Sequence, residues 1–141
     1  MDIDALIDDF EFLDDWDDRY RYVIELGKAL PAFPEDRRTD ANKVRGCVSQ
    51  VWLDCNRSSG SDGVRLDYHG DSDAMIVKGL IAILLAFYAG KTAAEIQTMD
   101  PEPLFDRIGL RDHLTAQRSN GLSSMVNRIK RDAAEAVQET A

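Results

Sequence analysis

The chain has 141 residues, of which 44% are hydrophobic and 30% are charged, with nine glycines and four prolines. This composition is typical of one globular domain spanning residues 1–141, and it excludes collagen-like and intrinsically disordered chains. The net charge of −9 disfavours non-specific binding to nucleic acid or to an anionic membrane. We therefore expect neither as a partner, and a basic protein surface suits the chain better.

Residues 3–28 predict two amphipathic helices. Two apolar stripes recur at helical spacing: Ile3, Leu6, Ile7 and Phe10, then Trp16, Tyr20, Val23 and Ile24. Residues 1–36 hold twelve acidic and three basic residues, so the whole negative excess lies in this part of the chain. The acidic outer faces are either solvated surfaces or a docking surface.

The middle of the chain predicts a loop followed by a β-hairpin. Pro31, Pro34 and the charged residues 35–45 interrupt regular structure. From Val51 the apolar pattern has period two, with Val51, Leu53 and Cys55 predicted on a buried face and Gln50, Asp54 and Asn56 on the other. After a turn at residues 58–63, a second alternating run, Val64, Leu66 and Tyr68, predicts the antiparallel partner strand.

The remaining residues predict helices. Residues 76–87 carry a wide apolar stripe that Gly90 would close in the left-handed conformation, and Thr92 with Glu95 has the spacing of a capping box. Asp100 and Ser119 are the expected N-caps of the last two helices. The elements together predict an α+β fold, in which helices cover one side of a small antiparallel sheet of two or three strands.

No targeting or membrane segment is expected. The first ten residues, MDIDALIDDF, lack the basic start and apolar stretch of an export signal, which predicts a cytoplasmic protein. The most apolar run, residues 74–89, would form a helix of about 24 Å, which is too short for a hydrocarbon layer of roughly 30 Å. It is predicted to be a core helix.

Thiol chemistry is the main chemistry that the residues offer. Glycine-rich phosphate loops, paired helical histidines and Cys-x-x-Cys motifs are absent from the sequence. Cys47, Cys55, His69 and His113 lack zinc-site spacing, so we expect no metal site.

The two cysteines have different surroundings. Cys47 follows the flexible Gly46 and has Lys43 and Arg45 nearby. Cys55 alternates in step with Val51 and Leu53, so it is expected on the buried face of the strand. If residues 48–55 are extended, the Cα atoms of Cys47 and Cys55 lie roughly 26 Å apart. A disulfide requires them to be within about 7 Å. Each cysteine is therefore expected to act singly.

One segment resembles a known family signature. Residues 44–52, VRGCVSQVW, resemble the Gly-Cys-x-Ser-x-Val-Trp signature of SufE-type sulfur acceptors. Later segments resemble the same family in the expected order: IVKGL at 76–80, HLT at 113–115, RSNGL at 118–122 and Met125. The resemblance covers most of the chain, and for the acidic N-terminal helices it is only general.

The resemblance implies a function in sulfur transfer. It implies a protein that binds and stimulates a SufS-type cysteine desulfurase, carries the sulfane sulfur as a persulfide on Cys47, and passes it to a downstream iron–sulfur scaffold complex. The protein would be a sulfur-transfer partner rather than an independent catalyst, with no cofactor of its own, because pyridoxal phosphate belongs to the desulfurase. The resemblance also implies the overall shape of U-type scaffolds, and it places Arg118 near Cys47 or the partner surface.

Positioning is expected to matter more than thiol acidity. Lowering a cysteine pKa from 8.5 to about 7 raises the thiolate fraction about sixteenfold at pH 7. The more acidic thiolate is a weaker nucleophile, so the reaction rate rises only about threefold. Alignment of two sulfur atoms in a complex supplies several kcal/mol. We therefore expect the partner interface to outweigh Arg45 or Lys43, with Gly46 as the hinge of a movable loop that exposes the thiol.

Two other functions remain open. An iron–sulfur scaffold generally needs three or more ligands of thiolate type, and this sequence has two cysteines. A regulatory module would bind the desulfurase without carrying sulfur, and Cys47 would then be incidental.

Overall fold

The sheet is a hairpin of two long strands in the computed structural model, which describes residues 2–140. Strand β1 (Val51–Gly60) pairs antiparallel with β2 (Gly63–Ser72), from Val51 opposite Ser72 to Gly60 opposite Gly63. The connection is therefore two residues long, shorter than the predicted turn at 58–63, because Ser58 and Ser59 belong to the ladder.

Six α-helices accompany this hairpin in the described part of the chain. Their bounds are α1 (Ile3–Phe12), α2 (Trp16–Lys28), α3 (Met75–Tyr88), α4 (Ala93–Thr98), α5 (Glu102–Ile108) and α6 (Ala116–Thr140). Short 3-10 turns lie at Glu35–Arg37 and Arg111–His113. The predicted α+β class is confirmed, with two strands in the sheet among residues 2–140.

Each of the first two helices is capped at its N-terminus by an aspartate. The Asp2 and Asp15 carboxylates accept hydrogen bonds from the backbone N–H groups of Asp4 and Asp17, at 3.3 and 3.0 Å. These N-caps satisfy amide groups that would otherwise lack partners, and the acidic residues of the first turns interact favourably with the helix dipoles.

The core helix α3 packs unusually close to α2. A Cβ atom at Gly79 would overlap the carbonyl oxygen of Val23, and one at Gly27 would lie 2.6 Å from the Gly79 nitrogen. The backbones of α2 and α3 are therefore in direct contact. Helix α3 also packs against β2. Among residues 2–140, no helix combines the length and apolar character that crossing a membrane requires.

The end of α3 differs in detail from expectation, whereas the start of α4 agrees with it. Gly90 has a φ of +73°, as predicted, but α3 ends earlier at Tyr88, and the Lys91 N–H donates to the Tyr88 carbonyl at 3.3 Å. With Ala89 extended, Gly90 is the third residue of a type II turn rather than a helix cap. The capping box of Thr92 and Glu95 is confirmed.

The last two helices begin at residues other than those predicted. Pro101, not Asp100, precedes α5, although the Asp100 carboxylate still accepts from the Glu102 N–H at 3.1 Å. The Ser119 prediction is wrong, because α6 begins at Ala116 and the Thr115 hydroxyl accepts from the Arg118 N–H at 3.2 Å. Both Thr115 and Ser119 are capping residue types, and the actual geometry favours the earlier one.

The second face of the sheet is more covered than its sequence suggests. Asp54, predicted on the open face, has only 6% of its surface exposed, and its carboxylate lies 3.7 Å from the Arg37 Nε. The Arg38 guanidinium lies 5.6 Å from the Trp52 ring centroid and pairs with Asp71. The loop after α2 therefore shields this face, which the local alternation of β1 does not reveal.

Candidate functional site: the Cys47 cavity

The loop that carries Cys47 lies along helix α6. Arg128 donates from its guanidinium to the carbonyls of Ala41 and Lys43, at 2.7 and 3.3 Å. On the other side of the loop, the Val44 N–H donates to the Val51 carbonyl at 2.8 Å. These bonds join the loop to α6 and to the start of β1 just before it reaches the cysteine.

Gly46 has a conformation that favours glycine. Its φ is +87°, in the left-handed region, and a Cβ atom there would lie 2.6 Å from the Ser124 hydroxyl oxygen. Both the backbone angle and the close approach to α6 therefore require a residue without a side chain. Gly46 supports the shape of the loop immediately before Cys47, and its predicted role as a hinge stays a prediction.

The thiol of Cys47 points towards the backbone of α6. Cys47 is half-buried, and its Sγ lies 3.6 Å from the Gly121 carbonyl oxygen, to which the S–H can donate. A Cβ atom at Gly121 would also lie 3.6 Å from Sγ, an ordinary van der Waals distance. The glycine leaves the space beside the sulfur open.

Cys47 lines a cavity of about 280 Å³. Residues from the cysteine loop, β1, α3 and the start of α6 form its walls: Cys47, Val48, Ser49, Val51, Val77, Leu80, Thr115, Gln117, Arg118, Gly121, Leu122 and Met125. This volume is several times the roughly 30 Å³ that one water molecule occupies in the liquid. A second sulfur atom would therefore fit beside the thiol. At the surface of the same site, Val48 is 76% exposed.

Burial makes the resting thiol a weaker acid. Partial removal from water raises the pKa of Cys47 above its ordinary value, because the charged thiolate loses more solvation than the neutral thiol. At neutral pH the group is therefore mainly protonated. Arg45, for which the sequence suggests partner binding or loop support, is exposed and lines a separate recess on the other side of the loop, so it does not form part of this cavity. Its predicted role stays a prediction.

Arg118 belongs to the cavity wall. It is half-buried in the first turn of α6, and its Nη1 donates to the Tyr20 hydroxyl at 3.4 Å. The Arg111 guanidinium holds this turn in place by donating to the carbonyl and hydroxyl of Ser119, at 3.0 and 2.7 Å. Tyr20 and Arg111 lie outside the motif segments, and no local signal in the sequence connects them to Cys47.

Cys55 lies in a different environment. It is half-buried rather than fully buried, and burial raises its pKa to about 11. Its neighbour Tyr68 donates from its hydroxyl to the Asp132 carboxylate at 2.9 Å. Cys55, His69 and His113 are all absent from the lining of the Cys47 cavity. Within residues 2–140, no three His, Cys, Asp or Glu side chains are grouped so that they could hold a metal ion.

Comparisons with known proteins agree on one family. The family model described as SufE, Fe-S metabolism associated domain, matches residues 4–133. An uncharacterized SufE-like protein of Rhizobium etli is 57% identical over 131 residues, covering 93% of this chain and 88% of the relative. The sulfur acceptor protein CsdE of Escherichia coli is 41% identical over 126 residues, covering 89% of this chain and 84% of CsdE.

A solved structure supports the same fold. The solution structure of a hypothetical protein from Thermus thermophilus superposes with a TM-score of 0.72 at 20% identity, and the match covers 96% of each chain. At this identity the likeness concerns the fold alone. The family model, which spans nearly the whole chain, and the two relatives identify the chain itself: it belongs to the SufE family.

Proposed function

We propose that this protein accepts sulfane sulfur on Cys47 from a SufS-type cysteine desulfurase and passes it to an iron–sulfur scaffold complex. The membership of the SufE family and the similarity to a sulfur acceptor support this function. The observation that carries it is the placement of the Cys47 thiol on a cavity with room for another sulfur atom. The pyridoxal phosphate that generates the persulfide belongs to the desulfurase.

The transfer step is an exchange between a thiol and a persulfide. Cys47 loses its S–H proton to solvent or to a base of the partner, and its thiolate attacks the outer sulfur of the desulfurase persulfide. A bond forms between the Cys47 Sγ and that sulfur, while the bond between the two donor sulfurs breaks. The desulfurase cysteine leaves as a thiolate and regains a proton. No external oxidant or reductant is consumed, because one sulfur–sulfur bond replaces another.

The raised pKa of Cys47 suits a carrier that reacts only in a complex. A mainly protonated, half-buried thiol reacts slowly with oxidants and stray electrophiles. Contact with the desulfurase must therefore supply alignment and help remove the proton. Val48, exposed next to the thiol, is an apolar residue that such a partner would cover.

Arg118 is expected to stabilise the sulfur anion in the cavity. Arg118→Ala removes the cation from the wall, so we expect the desulfurase stimulation at saturating acceptor to fall about five- to tenfold. Tyr20→Phe is the matched control, because it removes the 3.4 Å hydrogen bond and keeps the guanidinium, and it should change the stimulation less than twofold. The free energy of unfolding, measured by thermal denaturation, should change by less than about 0.5 kcal/mol in the alanine variant. An unchanged stimulation in Arg118→Ala would contradict this role.

Sulfur loading provides the direct test of the proposed function. After incubation with a SufS-type desulfurase and cysteine, the intact mass should rise by about 32 Da, the mass of one sulfur atom. Peptide mapping without reductant should place the added sulfur on Cys47. Treatment with dithiothreitol should remove it, because a persulfide is reducible. An added sulfur located on Cys55, or no mass increase with an active desulfurase, would refute sulfur carriage by Cys47.

A further inference from the structure

A basic recess lies on the other side of the cysteine loop from the Cys47 cavity. It has a volume of about 300 Å³, and its charged lining residues are Lys43, Arg45, Arg128 and Arg131, with Asp40 as the acidic one. With the neighbouring carboxylates of Asp132 and Glu135 counted, four positive groups face three negative ones, in a chain whose net charge is −9. The recess is therefore a local reversal of the charge that dominates the surface.

Within residues 2–140, two of these cations have no acidic partner. Arg128 pairs with Asp132 at 3.2 Å, and Arg131 lies 3.8 Å from the carboxylates of Asp132 and Glu135. Lys43 and Arg45, in contrast, form no ion pair with any carboxylate in the described part of the chain. Their charges are available to a second molecule, and no internal ion pair would have to be broken for that contact.

The recess adjoins the Cys47 site along α6. The loop meets Arg128 at Lys43, Ser124 at Gly46, and Gly121 at Cys47. Gly121 and Arg128 are seven residues apart on one helix, a separation of about 10 Å. A specific protein interface buries about 800 Å² on each partner, which is wide enough to cover both features. The recess therefore lies within the span of a single interface that includes Cys47.

We propose that this recess, formed by Lys43, Arg45, Arg128 and Arg131, is a second docking site for the desulfurase and takes a carboxylate-rich segment of it. The proposal rests on the proposed function, since it takes the desulfurase as the occupant. The unpaired cations supply the charge complementarity, and the continuity with Cys47 supplies the reason for this partner. Contacts of this kind raise the association rate and fix the orientation of the partner, which the alignment of two sulfur atoms requires.

Charge reversal tests the docking site. The double variant Lys43→Glu/Arg45→Glu should bind a purified SufS-type desulfurase at least about tenfold more weakly at 50 mM salt, measured by titration calorimetry. The difference should shrink to less than about threefold at 500 mM salt, because salt screens exposed charges. A matched control, Arg21→Glu/Lys28→Glu, changes the net charge equally at exposed positions of α2, and it should bind within about twofold of the unchanged protein.

Sulfur loading and self-association separate the possible outcomes. At saturating desulfurase, Lys43→Glu/Arg45→Glu should still gain about 32 Da on Cys47, so a failure of the recess proposal is distinct from a failure of sulfur carriage. Equal weakening in the two double variants, or a loss that does not depend on salt, would overturn the proposal. Sedimentation of the unchanged protein alone gives a further test. A salt-sensitive dimer that the recess variant lacks would assign the recess to a second copy of this chain and overturn the desulfurase as its occupant.

Discussion

Cys47→Ser is expected to abolish the stimulation of the desulfurase, so that its turnover falls to that of the enzyme alone. Serine nearly preserves the size of the side chain, and the site is half-buried with a cavity beside it, so the fold should persist. A hydroxyl is a far weaker nucleophile than a thiol at neutral pH and forms no stable equivalent of a persulfide. The measurement is alanine production by the desulfurase with and without excess acceptor, together with the intact mass of the acceptor.

Cys55→Ser is the matched control within the same chain. Cys55 is also half-buried, but it lies outside the Cys47 cavity, and its pKa of about 11 keeps it protonated. We expect this variant to gain sulfur on Cys47 and to stimulate the desulfurase within about twofold of the unchanged protein. If Cys47→Ser retained full stimulation while losing the added sulfur, the chain would be a regulatory module that binds the desulfurase without carrying sulfur.

Gly79→Ala is expected to lower the free energy of unfolding by at least about 2 kcal/mol. The added methyl group would overlap the carbonyl oxygen of Val23 and lie 2.7 Å from its carbonyl carbon, so α2 and α3 would have to separate. In an exposed helix the same change is stabilising by about 1 kcal/mol, because alanine has the higher helix propensity. For a chain of this size the expected decrease in Tm is roughly 6–10 °C, measured by thermal denaturation.

A second helical glycine provides the control for this effect. A Cβ atom at Gly121 finds its nearest neighbour, the Cys47 Sγ, at 3.6 Å, which is an ordinary contact. Gly121→Ala should therefore leave the Tm unchanged or raise it slightly, as helix propensity predicts. Equal destabilisation by both substitutions would mean that the close contact between α2 and α3 is not what makes Gly79 necessary.

The helices and the hairpin could be predicted because their signals are local. Period-two alternation from Val51 and helical spacing around Leu80 depend on residues near one another in the chain. The sequence does not show that Thr115, and not Ser119, is the residue that caps α6, because both are N-cap types. The burial of Asp54 was missed for a related reason: its covering residue Arg37 lies in a separate loop.

The site divides in the same way between sequence and structure. By itself the sequence singled out Cys47, Gly46 and Arg118, because they lie in short segments with a specific motif. It also predicted Arg45 as a partner-binding or loop-supporting residue, and only the fold shows that this side chain lines the basic recess and not the Cys47 cavity.

Only the tertiary structure decided what surrounds the sulfur. Tyr20 meets Arg118 across 98 positions of the chain, and the Cys47 thiol meets the Gly121 carbonyl across 74. Contacts between residues so far apart leave no periodic trace in the sequence, because they arise from the packing of whole elements. For the same reason, the volume of the cavity and the raised pKa of Cys47 followed from the fold, while the identity of the thiol followed from the sequence.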